Sequence, residues 1–253
     1  MKIVVCVKAV PGAAAGRKLE PGSLRLQRSG DLTLSDFDAN AVEEALRIKE
    51  ASGEGEVVAL SMGPERAMDA LRKTLAMGAD RAVLVSDDAL AGADLLVTAR
   101  ALAGALEREH ADLVLFGQQS ADGDGACLWA AVAEFLRRPA VSQVSELTVE
   151  AGAVVGKRQT EFGYERVRAP LPAVIAVSDA INEPRYPSLK GIMSAKSKPP
   201  ETLSAADVGG AGESRTVVLA LSPPPARGEG RKIEDDGNAA EAILEFLAER
   251  RLV

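Results

Sequence analysis

Four short apolar runs, set apart by helix-length segments, constrain this chain more than any other feature. Residues 2–7, 56–62, 81–85 and 113–116 are too short for helices and too continuously apolar for strands with one wet face. They fit strands covered on both sides, as in a parallel sheet. Between the first two lies a helical pattern, with Val42, Ala45, Leu46 and Ile48 on one face. Asp38 reads as its N-cap, and Gly53 and Gly55 as its stop. Pro64 suits the first turn of a second helix, which carries Met68, Leu71 and Leu75 and stops at Gly78. Asp94 reads as the cap of a third, reaching about residue 109, and a fourth spans about 126–137 before Pro139. This rhythm gives right-handed βαβ units and a parallel sheet.

After Pro139 the pattern changes. Residues 147–150, 153–159 and 164–168 read as antiparallel strands with glycine turns, and 172–177 as one more buried strand. A small hairpin is expected over 25–34, and an ordered, exposed loop over 181–200, which holds Pro184, Pro187 and Gly191. The tail has one strand candidate at 216–221, broken by Pro223, Pro224 and Pro225, and a short amphipathic helix over 238–249. With 253 residues, 47% of them hydrophobic, the chain can bury a substantial core.

Charge narrows the function. A net charge of −7 repels phosphate backbones, and 3% aromatics leave little to stack on bases, so no nucleic-acid partner is expected. No run approaches the roughly 20 apolar residues of a membrane span, and the start of the chain leads straight into a strand rather than a signal segment. A soluble, cytoplasmic protein without membrane insertion is expected. Cys6 and Cys127 each sit in an apolar stretch and read as small buried hydrophobes.

The loop of Gly117, Gln118, Gln119, Ser120, Ala121, Asp122, Gly123, Asp124, Gly125, Ala126 and Cys127 follows a buried strand and opens a helix. Parallel α/β sheets bind ligands at such places, where helix N-termini offer free N–H groups. Gly123 and Gly125 allow close approach to a phosphate, and Asp122 or Asp124 could cap the helix or hold a ribose hydroxyl. A solvated loop before a capped helix reads the same way. The loop lacks the Gly-Lys-Ser/Thr ending of a P-loop and the later ligands of an EF-hand. His110, the only histidine, sits at a helix end where it complements the dipole. Glu43 and Glu44 read as a solvated helix face. No nucleophile or acid–base constellation is visible, and no metal site, so the chain reads as a binder rather than an enzyme.

Residues 182–193, which run Asn182, Glu183, Pro184, Arg185, Tyr186, Pro187, Ser188, Leu189, Lys190, Gly191, Ile192, Met193, resemble the signature loop of the electron-transfer flavoprotein beta-subunit family. Residues 6–8, 40–45, 62–64, 76–80 and 171–174 and the loop around Asp122 resemble it in the same order, so the likeness covers about 1–200. It implies a doubly wound α/β fold of the adenine nucleotide-binding type with a mainly parallel sheet, antiparallel additions and an extended C-terminal arm. Residues 1–200 would form the nucleotide-binding domain, and 201–253 an arm packing on a larger alpha subunit. That alpha subunit holds most of the redox FAD. The beta subunit carries a structural AMP and docks flavoprotein dehydrogenases of the acyl-CoA dehydrogenase type, as in fatty acid oxidation, with electrons passing on to a respiratory acceptor.

The resemblance also carries residues. Cys6, then Ser35, Asp36, Phe37 and Asp38, then Met62, and then Gln118 through Leu128 match the nucleotide site, and Glu183 through Ile192 match the dehydrogenase-recognition loop with Leu189 as its anchor. Phe37 also matches an aromatic near the partner's flavin. Ala126, Cys127 and Leu128 depart from the polar Asn-Gln-Thr at the helix start of AMP-binding members, which leaves the backbone N–H groups to bind phosphate. Electron-bifurcating members hold a second FAD in place of AMP. Residues 86–94 with Thr98, and Asp122 to Asp124, look like their pattern, whereas 182–193 look like the non-bifurcating type. The ordinary carrier is the reading adopted. An ATP-pyrophosphatase-type enzyme would need a Ser-Gly-Gly-type loop after the first strand, which residues 10–16 do not provide. A self-dimerising nucleotide-sensing module is the third alternative.

Overall fold

A computed structural model describes residues 1–12, 18–222, 225, 230, 232, 234, 235 and 237–253. Most of residues 10–16, and Pro223 and Pro224 of the expected strand break, lie outside the described residues. The chain divides into two compact units, Met1–Val218 and Leu219–Val253.

The first unit is built on one nine-stranded sheet. Its strands are β1 (Lys2–Cys6), β4 (Glu56–Met62), β5 (Arg81–Val85), β6 (Leu113–Gly117), β7 (Ala140–Glu150), β8 (Ala153–Thr160), β9 (Gly163–Pro170), β10 (Ala173–Val177) and β11 (Glu201–Leu203). Their spatial order is β11-β5-β4-β1-β6-β10-β7-β8-β9. All pairs from β11 to β7 are parallel, and β7-β8-β9 is an antiparallel meander. The expected α/β class and doubly wound, mainly parallel sheet with antiparallel additions are what the chain adopts.

The apolar runs explain the layering. In β1, Ile3 and Val5 face one core and Val4 and Cys6 the other. The first core is closed by α1 (Asp36–Ser52) and α2 (Met68–Met77), through Val42, Leu46, Leu71 and Leu75. The second is closed by α3 (Leu95–Arg108) and α4 (Leu128–Leu136), through Leu102, Leu106 and Val132. The chain steps from β1 outward to β4 and β5, and then returns to place β6 on the other side of β1. This reversal puts the topological switch point beyond the carboxyl ends of β1 and β6, where open α/β sheets form their ligand crevice.

Several local expectations need correction. The hairpin over 25–34 does not form. Instead β3 (Leu32–Leu34) pairs antiparallel with β2 (Ala9–Pro11), and Leu26 bridges Leu19. Burial of Val10 and Leu34 selects this non-local pairing. The stretch 181–200 is not all loop, because α5 (Leu189–Lys196) forms inside it. Ser188 caps α5 by accepting the Gly191 N–H at 3.0 Å. Gly191 sits where a side chain has no room, since a Cβ there would lie 2.2 Å from the Ala76 carbonyl oxygen of α2. Residues 216–221 form no strand. The backbone N–H groups of Arg215 and Thr216 donate instead to Asp94 (2.8 and 3.2 Å), which also caps α3 through the Val97 N–H (2.9 Å). His110 follows α3 with a φ of 51° and is exposed.

In the second unit α6 (Ala239–Glu249) buries no residue, leaves Ile243 and Leu244 exposed, and stacks Arg250 on Phe246.

Candidate functional site

The switch-point crevice gathers charge from segments far apart in sequence. Lys8 leaves β1, Arg28 comes from the segment before β3, and Asp122 from the loop after β6. The Asp122 carboxylate, 3% exposed, accepts hydrogen bonds from the Lys8 ammonium at 2.8 Å and from the Arg28 guanidinium. Burial works against its charge, but the hydrogen bonds and charges of Lys8 and Arg28 outweigh burial and hold its pKa down to about 2. Arg28 also donates to the Ala9 carbonyl, and Arg66 donates to the Arg28 and Gly30 carbonyls, so the segment carrying Arg28 is fixed on two sides.

Asp38 is not the N-cap of α1. The helix starts two residues earlier, and Asp38 is buried in its first turn, where its carboxylate accepts the Lys8 N–H at 2.8 Å and the Gly117 N–H. Burial dominates these bonds and pushes its pKa up to about 7. Gly117 makes the approach possible, because a Cβ there would come within 2.7 Å of the Asp38 Oδ1. Ser35 is wholly buried and offers no cap to its own helix, since its Oγ accepts the Ala121 N–H at 3.4 Å. Lys8, Ser35, Asp38, Gly117, Ala121 and Asp122 thus knit β1, the α1 entry and the 118–127 loop together.

Other expected site residues take no part in these hydrogen bonds. Cys6 is packed in the second core, and its thiol is raised well above the ordinary value by burial and then by Asp38. Met62 ends β4 half-buried, while Asp36 is exposed and Phe37 half-buried on the first turn of α1. Gln118, Gln119 and Ser120 are half-buried, and Gly123, Asp124, Gly125, Ala126 and Cys127 are exposed. Cys127 is therefore not the buried hydrophobe its neighbours suggested. With Asp124 at a φ of 49° and Cys127 non-helical, α4 begins at Leu128 and not at Ala126. The N–H groups of Gly125, Ala126, Cys127 and Leu128 meet no acceptor among the described residues. They stand at the N-terminal, positive end of α4, where free N–H groups are the kind of donor a phosphate takes.

A second feature lies in 182–193. Asn40 and Asn182 exchange hydrogen bonds (Asn40 Nδ2 to the Asn182 carbonyl 2.7 Å, Asn182 Nδ2 to the Asn40 carbonyl 3.1 Å), and Asn182 also donates to Glu44 at 3.0 Å. Glu43 and Glu44 are buried, not a solvated face. Burial disfavours the Glu43 charge, yet Arg185 more than compensates and holds its pKa below the ordinary value. Arg185 points inward to α1, while Tyr186, Leu189 and Met193 stand 92%, 83% and 73% exposed. Glu183, Ser188, Lys190 and Ile192 are exposed, and Pro184, Pro187 and Gly191 half-buried. The sequence alone pairs neither Lys8 nor Arg28 with Asp122, 114 and 94 residues away, nor Glu43 with Arg185, 142 residues away.

Among the described residues no helix is long and apolar enough to cross a membrane. Residues 23–208 match the family described as Electron transfer flavoprotein domain. A protein of Mycobacterium bovis (strain ATCC BAA-935 / AF2122/97) named Electron transfer flavoprotein subunit beta is 41% identical over 263 residues, covering 99% of both chains. One of the same name from Megasphaera elsdenii is 36% identical over the whole of both chains. The Caffeyl-CoA reductase-Etf complex subunit CarD of Acetobacterium woodii is also 36% identical over the whole of both. On these grounds the chain belongs to the electron transfer flavoprotein beta-subunit family, whose members serve electron transfer.

Proposed function

We propose that this chain is the small subunit of a heterodimeric carrier that takes electrons from flavoprotein dehydrogenases of the acyl-CoA dehydrogenase type and passes them to a respiratory acceptor. The observation that carries the docking half of this reading is Leu189, 83% exposed on a segment held by Arg185 against α1 and by Gly191 against α2. An exposed leucine on a rigid loop fits a pocket on a partner, because little ordering entropy is lost on binding. The start of the expected arm joins the sheet as β11, so the part assigned to the surface of the alpha subunit is the second unit from Leu219, with the exposed apolar residues of α6.

The crevice is assigned to an adenine nucleotide, AMP in the ordinary carrier. The donor set supports this: Gly125, Ala126, Cys127 and Leu128 would hold phosphate through their N–H groups, and the neutral side chains there leave the backbone to do so. Asp122, Lys8 and Arg28 hold the loop in place, and Gly117 keeps its base close to α1. The flavin, held mainly by the alpha subunit, supplies the redox chemistry. The alternative of a second FAD in this chain rests on the likeness of residues 86–94 to bifurcating members. It is weakened by Asp87 and Asp94, whose carboxylates are committed to backbone N–H groups of Ala89, Ala205, Val97, Arg215 and Thr216.

The test is the steady-state reduction of the purified heterodimer by an acyl-CoA dehydrogenase with its substrate. Leu189→Ala is expected to raise the KM for the carrier by about tenfold or more, the scale of losing one hot-spot side chain, without changing flavin content. Unchanged kinetics would remove the docking reading.

A further inference from the structure

The sequence places Arg185 among residues that meet the dehydrogenase, but the structure turns it the other way. Its guanidinium grips two carboxylates of α1. Nε and Nη2 donate to Glu43 at 2.7 and 3.1 Å, and Nη1 and Nη2 donate to Glu50 at 2.5 and 2.9 Å. Its backbone N–H adds a bond to Glu43 at 3.1 Å. Glu43 is 5% exposed, so this end of the clamp is shielded from solvent. A planar guanidinium between two carboxylates fixes orientation as well as position, which a lysine ammonium cannot do.

The clamp sits four residues before Leu189. Beyond it, Pro187 restricts the backbone and Ser188 starts α5, whose Gly191 lies against the Ala76 carbonyl of α2. Tyr186 and Leu189 are therefore displayed on a short bridge whose two ends rest on different helices, α1 and α2. If the Arg185 end were loose, the loop would sample other conformations, and docking would have to order it.

We propose that Arg185 is a positioning residue for dehydrogenase docking: it touches no partner, and by clamping Glu43 and Glu50 it pre-organises the loop that presents Leu189. This rests on the docking reading above. The clamp then acts on association only, and electron transfer within the docked complex is indifferent to it.

The test is a double-mutant cycle on the intact heterodimer, reduced by an acyl-CoA dehydrogenase with its substrate, with the carrier concentration varied. Arg185→Lys and, at the exposed end of the clamp, Glu50→Gln are each expected to raise the carrier KM by about two- to tenfold, the cost of re-ordering one or a few side chains on binding. The kcat should stay at the wild-type value. In the Leu189→Ala background the same changes should have little further effect, because there is no anchor left to position. Wild-type KM for both clamp variants, alongside a raised KM for Leu189→Ala, would overturn the inference and leave the docking reading standing. Additive effects would overturn it as well, since Arg185 would then contact the dehydrogenase itself. No effect of Leu189→Ala would remove the docking reading and the inference with it. Glu50→Gln keeps the test informative if Arg185→Lys compromises folding.

Discussion

Asp122→Asn removes one charge from the buried end of the crevice and leaves Lys8 and Arg28 without their counter-ion. The carboxyl titrates at about 2 in the folded chain against an ordinary 3.8. At about 1.4 kcal/mol per unit, that difference corresponds to about 2 kcal/mol of stability. The figure is an upper one, because the Lys8 side chain is 44% exposed and solvent screens its share. The sign follows from the depressed value. The contribution is fully present above pH 3.8 and is lost as pH falls through 2. In thermal unfolding of nucleotide-stripped heterodimer at fixed concentration, the variant should melt about 4–8 °C lower at pH 7. The gap between variant and wild type should narrow to roughly half at pH 3, where the unfolded wild type has largely taken up its proton. Equal melting at pH 7, or a gap that does not change between pH 7 and pH 3, would show that the Lys8–Asp122–Arg28 group does not stabilise the fold as described.

Two further perturbations probe the supports of the sites. Gly191→Ala should destabilise the chain by about 1–3 kcal/mol, since the new methyl would meet the Ala76 carbonyl oxygen at 2.2 Å; a denaturation midpoint at the wild-type value would contradict that packing. Asp94→Ala should speed amide hydrogen exchange at Val97, Arg215 and Thr216, all of which donate to its carboxylate, and protection that survives the change would show that other contacts hold this segment.

The frame of the fold was legible in the sequence because its cause is local. Runs such as 113–116, alternating with helix-length segments, fit strands of a parallel sheet buried on both faces, and Asp94 sits where an N-cap must. The position of the crevice followed, since a glycine-rich loop after a buried strand leads to a helix N-terminus. What stayed hidden depends on distant partners. Asp38 looks like a cap until Lys8 and Gly117 are brought against it. Glu43 looks solvated until Arg185, 142 residues later, arrives to neutralise it. Pro187 and Gly191 argue for a loop, yet α5 forms because Ser188 caps it and Gly191 alone fits against α2. Cys127 was misplaced for the opposite reason: its apolar neighbours belong to α4, but it stands before the helix begins. Of the candidate site, the loop from Gln118 to Leu128 is singled out by spacing and resemblance, whereas the cations that hold it are not, because Lys8 and Arg28 lie 114 and 94 residues from Asp122.

The most direct test of the account is a count of nucleotides released when the purified heterodimer is denatured and the supernatant resolved by chromatography. One FAD and one AMP per dimer are expected, with the AMP lost when this chain is removed. Two FAD and no AMP would contradict it in favour of a second flavin in this subunit, and a chain that yields no nucleotide and retains no alpha partner would contradict the carrier reading as a whole.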